Sequence, residues 1–246
     1  MARALADFTV LTFDCYGTLI DWESGIWDAL QPLLFANGHT ELTRAAALEA
    51  FAEVESAQEA ATPGMLYSDL LAEVHASLAN RIGLTTDAEM DRAFGASVPH
   101  WPAFPDTADA LRVLKRHYKL VILSNVHRDG FAASNRKLGV AFDAIYTAQD
   151  VGSYKPDPAN FDYLLEGLSR DLGLSADAVL HTAQSLFHDH VPAKRAGLAC
   201  AWIDRQGLSE GGDWGATARV ENPPDVEFLF PTLGAMAEAV SAPAPG

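Results

Sequence analysis

Cysteine is scarce in this chain of 246 residues: only Cys15 and Cys200 occur, far apart in sequence. They make no disulfide framework, and a reducing compartment is the expected setting. Positive charge is also short, with 17 Lys and Arg against 33 Asp and Glu and a formal net charge of −16. Nucleic acid and anionic membrane surfaces are bound by clustered basic residues, so neither is expected as a partner. A small anionic substrate stays open, because one or two local cations suffice to hold it. No run of roughly 18 apolar residues occurs, so no membrane-spanning helix is expected. Residues 1–7 lack an apolar segment and include Asp7, which predicts no signal peptide and a cytoplasmic location. The glycines of residues 206–224 match neither a Walker loop nor a dinucleotide fingerprint, and that segment reads as a surface loop.

What the chain does have is an ordinary globular balance, 49% hydrophobic and 20% charged, enough for a real core in one large domain or two unequal ones. Residues 8–13 are mostly apolar and β-prone, and read as a strand buried on both faces. Asp14 stands where that strand stops, with Gly17 and Thr18 turning the chain after it. In an open α/β sheet, ligands sit beyond the carboxyl ends of strands, so Asp14 is placed for chemistry; capping the turn is its plainer role. Cys15, its neighbour, is expected to point into the core.

Beyond Asp21 the spacing becomes helical. Ile26, Leu30, Leu33 and Leu34 mark a helix closed by Asn37-Gly38-His39. Further helices are predicted over 42–59, 66–82 and 87–98, with a Pro-bearing link at 100–107. Residues 21–101 therefore read as an all-helical insert. From Thr107 helix and strand alternate, with strands at 119–123, 144–146, 178–183 and 199–203 and helices between them, including one over 189–196. That alternation predicts a parallel, right-handed wound sheet: an α/β fold of Rossmann-like core, residues 1–20 and 102–246, with a helical cap over 21–101. The small, Pro-rich tail, 241–246, is expected to fray.

Four candidate positions fall at strand ends: Asp14, Ser124-Asn125, Lys155, and the run from Gln184 to Asp189. Singly, each has a bland role: Ser124 or Asp189 as helix caps, Lys155 as a solvated turn lysine. Convergence of an acid, a hydroxyl–amide pair, a lysine and a second acid is more specific than any one of them.

These residues resemble a known family. Asp14-Cys15-Tyr16-Gly17-Thr18-Leu19, Ser124-Asn125, Lys155-Pro156-Asp157 and Ser185-Leu186-Phe187-His188-Asp189 are similar, in order and spacing, to the four motifs of haloacid dehalogenase-like hydrolases, and the helical insert lies where that superfamily carries a cap. Its phosphatases have a second Asp two residues after the nucleophile and a magnesium-binding Asp before the Ser of the fourth motif. Tyr16 and Gln184 stand there instead, which disfavours Mg²⁺ and phosphoryl transfer. Asp-x-Tyr-Gly-Thr resembles the first motif of 2-haloacid dehalogenases, which need no metal or other cofactor. The resemblance implies Asp14 as nucleophile, Lys155 as the positive charge beside it and Asp189 ordering the lysine or the hydrolytic water. It further implies Thr18, Ser124 and Asn125 holding carboxylate groups, and Tyr16, Gln184, Ser185 and His188 lining the site, His188 as a proton carrier. A small carboxylate is the implied substrate, and homodimerisation through the cap the implied assembly.

Departures exist here too. Glu53-Val54-Glu55 occupies the region of the dehalogenase cap Arg, and Leu186 and Phe161 replace an expected Asn and Tyr. Asp21-Trp22, residues 101–105 and residues 184–190 resemble a branch that includes azetidine-2-carboxylate hydrolases, whose displacement at C2 releases an amine. A magnesium-dependent phosphatase and a non-catalytic binding protein are the remaining alternatives. Glu53 and Glu55, two apart on a helix, do not share a face, so at most one points inward; a solvated Glu face is expected. His188 and His190 likewise diverge, and a metal site is not expected there.

Overall fold

Val10 to Phe13 form strand β1, and no residue of it reaches solvent, as a strand with parallel neighbours on both edges requires. Alternation sends Leu11 and Phe13 into one apolar cluster, shared with the cap, and Val10 into a second on the opposite face. The computed structural model describes residues 3–38 and 41–242. His39 and the tail from Pro243 lie outside the described residues, as do Met1 and Ala2.

After β1 come four helices, α1 (Trp22–Ala36), α2 (Arg44–Ala61), α3 (Tyr67–Arg81) and α4 (Ala88–Gly95). Then follow α5 (Thr107–Leu114), β2 (Lys119–Ser124), α6 (Arg128–Leu138), β3 (Ala144–Thr147), α7 (Ala148–Val151), α8 (Pro158–Leu172) and β4 (Val179–Ala183). The chain ends with α9 (Val191–Arg195), β5 (Ala199–Ile203), β6 (Phe228–Phe230) and α10 (Leu233–Ser241). All six strands are parallel, in the order β3-β2-β1-β4-β5-β6. This is the doubly wound order, and the direction of winding reverses between β1 and β4, where the sheet opens a crevice. Asp14 and Gln184 flank that crevice from the ends of those two strands.

The expected α/β core with a helical cap is therefore the fold. Among the described residues no helix is long and apolar enough to cross a membrane. The strand β6 and helix α10 were not legible: three residues are too few to display a period of two, and α10 is largely Ala, Gly and Met. The helix expected over 189–196 is divided. A wide turn, Leu186–His190, precedes α9, and Ser185, not Asp189, caps it by accepting the His188 amide at 3.0 Å.

The cap is seated by close packing. Gly25 in α1 lies so near Trp101 that a Cβ there would stand 2.2 Å from the indole ring. Trp101 is fully buried, with its Nε1 donating to Ser97 Oγ at 3.1 Å. Gly17 turns the chain after Asp14 at φ +95°, a conformation that side chains rarely adopt.

Candidate active site

The turn after β1 holds Asp14 from both sides. Its Oδ1 accepts from Lys155 Nζ at 2.8 Å and its Oδ2 from Thr18 Oγ1 at 2.8 Å. The Thr18 hydroxyl in turn accepts the Gln184 amide at 2.9 Å, linking the ends of β1 and β4. Behind this turn the Arg205 guanidinium donates to the Thr18 carbonyl at 3.0 and 2.9 Å. Among the described residues no backbone amide donates to the Asp14 side chain, whose partners are the Thr18 hydroxyl and the Lys155 ammonium.

Lys155 is buried, not solvated, and its ammonium also reaches Asp189 Oδ1 at 2.6 Å and the Leu123 carbonyl at 3.1 Å. Asn125 fixes the lysine backbone by accepting its N–H at 2.7 Å and donating to its C=O at 3.1 Å. Asp189 Oδ1 also meets His181 Nε2 at 3.1 Å, while His181 Nδ1 meets Thr12 Oγ1 at 2.9 Å. An ionised carboxylate only accepts, so Nε2 carries the proton and Nδ1 accepts from Thr12.

Burial pushes the Asp14 carboxyl above its ordinary value, against the pull of the Lys155 ammonium. Burial acts on Asp189 in the same sense, but there Lys155 and His181 outweigh it and hold the carboxyl well below the usual range. Burial alone would lower Lys155; its two carboxylates overcome this and keep it firmly charged. The core thus holds a hydrogen-bonded acid–lysine–acid chain, Asp14–Lys155–Asp189, beneath the cap.

Above it opens a cavity of about 530 Å³. Eight of the ten residues expected at the site line it: Asp14, Tyr16, Asn125, Lys155, Gln184, Ser185, His188 and Asp189. Thr18 and Ser124 do not. Thr18 sits under Asp14 as a positioning residue. Ser124 Oγ, at the end of β2, is buried with no hydrogen-bond partner. His188 is pushed down to about 4 by burial, so it is a neutral hydrogen-bonding wall at physiological pH.

The cap wall differs from expectation. Glu53 is exposed at the rim and pairs with Arg81, as a solvated face requires. Glu55 instead turns inward, where Tyr67 donates to it, and Glu59, one turn on, accepts from Asn125 Nδ2 at 3.3 Å. Burial pushes Glu55 up to about 7 and, with the neighbouring Glu55 charge, raises Glu59 well above the ordinary range. Their four-residue spacing on α2 was the available signal, since residues i and i+4 share a helix face. Residues 215–219 also border the cavity, so the segment expected to be a mere surface loop contributes to the site.

The donors present do not fit Mg²⁺. Tyr16 stands where a second acid would, and its hydroxyl is engaged with Ser134 Oγ at 2.9 Å. Gln184 offers an uncharged amide whose Nε2 donates to Gln206 Oε1 at 2.7 Å. Asp14 and Asp189 already share the Lys155 ammonium. Among the described residues no cluster of three or more His, Cys, Asp or Glu is arranged to hold a metal ion.

Residues 8–181 match the family of haloacid dehalogenase-like hydrolases. The chain belongs to that family. Among curated relatives, the (S)-2-haloacid dehalogenase of Pseudomonas putida is 27% identical over 128 residues, which are 51% of this chain and 54% of that protein. The chain thus spans about half the length of the curated relatives it matches. The fold is also that of L-2-haloacid dehalogenase from Xanthobacter autotrophicus with chloropropionic acid covalently bound: TM-score 0.76, 21% identity, 95% of this chain and 98% of that one. A HAD hydrolase of Bacillus subtilis bound to magnesium superposes nearly as well, with TM-score 0.73, 18% identity and coverage of 96% and 99%. Within this haloacid dehalogenase-like fold, the backbone alone does not separate the magnesium-bound neighbour from the dehalogenase neighbours.

Proposed function

We propose that this chain is a metal-independent hydrolase that displaces a leaving group at C2 of a short 2-substituted carboxylic acid, in the manner of a 2-haloacid dehalogenase. The observation that carries the reading is Asp14, lining the cavity and held between Lys155 and Thr18, with no magnesium donor set around it among the described residues. The similarity to (S)-2-haloacid dehalogenases supports the substrate class.

In this mechanism an Asp14 carboxylate oxygen attacks C2 from the face opposite the leaving group. The C–X bond breaks with its electron pair going to X, the configuration inverts, and an ester joins Asp14 to the substrate. Water then attacks the ester's carboxyl carbon, the Asp14–substrate bond breaks, and a 2-hydroxy acid departs. Lys155 keeps Asp14 ionised before attack and faces the carbonyl oxygen as charge develops on it. Asp189 Oδ2, buried and without a partner on a residue that lines the cavity, is suited to orient that water; its depressed pKa makes it an orienting group and a poor base.

The leaving group has two readings. Protonated Glu55 and Glu59 can donate hydrogen bonds to a departing halide. The same acids can hand a proton to a departing nitrogen, which favours azetidine-2-carboxylate-type C–N hydrolysis. The test incubates the protein with 2-chloropropionate, fluoroacetate, azetidine-2-carboxylate and a generic phosphate ester, each with Mg²⁺ or with chelator. Halide or ring-opened product in chelator supports the proposal and identifies the leaving group. Phosphate release that requires Mg²⁺, with no carbon substrate consumed, would overturn it.

A further inference from the structure

The proposed reaction has two halves, attack by Asp14 and hydrolysis of the ester it forms. Asp14 is held for the first by Lys155 and Thr18, each at 2.8 Å. The second depends on Asp189, and its two oxygens are unequal. Oδ1 accepts both from Lys155 Nζ at 2.6 Å and from His181 Nε2 at 3.1 Å. Oδ2 is buried and, among the described residues, has no hydrogen-bond partner; the residue borders the cavity. Lys155 cannot fix this asymmetry by itself. Its three N–H bonds are engaged by Asp14, Asp189 and the Leu123 carbonyl at 3.1 Å. A carboxylate held by one ammonium hydrogen is free to offer it either oxygen, and the pull on Asp189 grows once esterification removes the Asp14 charge. The second donor on Oδ1 takes that freedom away.

That donor comes from the sheet. His181 lies fully buried within β4, paired in parallel register with Thr12 of β1, and Thr12 Oγ1 meets its Nδ1 at 2.9 Å. Phe161 and His190 pack edge-on against the ring, with centroids 5.2 and 6.3 Å away. The imidazole is therefore fixed at both nitrogens and across its faces. A central parallel strand is ordinarily filled by apolar side chains, and a buried polar group costs stability unless it is bonded. Here both nitrogens are bonded, and one of them serves the acid of the active site. His181 itself does not line the cavity.

We infer that His181 is a positioning residue for ester hydrolysis: with Thr12 holding its Nδ1, its Nε2–H locks Asp189 Oδ1, so that Oδ2 is left to orient the attacking water. This rests on the reading of Asp14 as a covalent nucleophile. In the step concerned, the water oxygen bonds to the Asp14 carboxyl carbon. The bond from that carbon to the substrate oxygen breaks, with its electron pair going to the oxygen. One water proton completes the product hydroxyl and the other is released, while Asp189 ends unchanged. Attack at C2 needs neither group, because Asp14 has its own two partners.

The test uses the full chain and a 2-substituted acid that it consumes, with rapid quenching and intact-protein mass spectrometry reading ester formation and decay separately. His181→Phe should slow decay of the Asp14 ester by about 10- to 100-fold, the range of one hydrogen bond to a charged group, and leave formation unchanged. In the steady state kcat and KM should then fall together with kcat/KM preserved, since kcat/KM reports only the steps through ester formation. His181→Gln keeps an N–H donor and should restore part of the decay rate. Thr12→Val leaves every cavity-lining side chain in place; it should slow decay in the same direction by less, and it serves if the phenylalanine variant does not fold. Decay at the wild-type rate in the variants, or equal slowing of formation and decay, would overturn this inference alone. Failure of wild-type protein to form any ester would overturn the nucleophile reading and the inference with it.

Discussion

The two walls of the cavity handle buried charge in opposite ways. On the core side Asp14, Lys155 and Asp189 are all buried, and each has an opposite partner within 2.8 Å. On the cap side Glu55 and Glu59 form no ion pair with any described residue and are pushed toward their neutral forms. Burial raises the carboxyls on both walls, and the Lys155 ammonium opposes it where it is bonded, at Asp14 and Asp189. In the proposed reaction the core wall attacks carbon and the cap wall meets what leaves.

The sharpest way to break the comparison is to remove its charged centre. Asp14→Asn should lower kcat by at least about 10³-fold with 2-chloropropionate or its C–N counterpart, as loss of a covalent nucleophile does. Lys155→Met should also abolish turnover, and it leaves Asp14 and Asp189 facing each other in low dielectric. Urea titration at neutral pH should show a loss of about 3–5 kcal/mol, the cost of orphaning a buried charge. Lowering the pH should recover part of that loss as the two acids take up protons.

The cap wall predicts a smaller, pH-dependent effect. In the folded state Glu55 holds its proton up to about 7, above its ordinary value of 4.5. The native state therefore binds more protons than the unfolded chain between those values, and stability falls as pH rises through that window. Glu55→Gln should flatten this slope in denaturant titrations taken from pH 4.5 to 7.5. If the acid form assists departure, wild-type kcat should also fall above about pH 7, and the glutamine variant should lose that limb. A flat stability profile in wild type would show that the cap wall is solvated like Glu53. The smallest effect belongs to the exposed Glu53–Arg81 pair, where Glu53→Gln should change stability by no more than about 1 kcal/mol.

The same contrast explains what the sequence could reveal. Asp14, Asn125, Lys155 and Asp189 were legible because a doubly wound sheet brings strand ends together, so linear motifs report a spatial cluster. Gly17 and Thr18 advertised the turn that holds Asp14. The cap wall was obscured because Glu53, Glu55 and Glu59 are chemically alike, and helical phase alone decides which are buried. Phase depends on how α2 is seated against the core, which is a tertiary matter. His181 was hidden for a similar reason: within a strand of apolar character it reads as core, and only the opposite ends of its ring, at Thr12 and Asp189, disclose its part. Residues 206–224 carried no periodicity at all. Their order comes from side-chain tethers such as Gln206 to Gln184, between residues that no local pattern relates.

The central claim is that Asp14 becomes covalently joined to the substrate carbon. A single turnover in ¹⁸O-labelled water, with enzyme in excess over a 2-substituted acid it consumes, tests this most directly. The account predicts label in the Asp14 carboxyl group and unlabelled 2-hydroxy acid, since the product's new oxygen comes from Asp14 and water replaces it. Label in the product with none in Asp14 would mean that water attacks carbon directly, and would contradict the account.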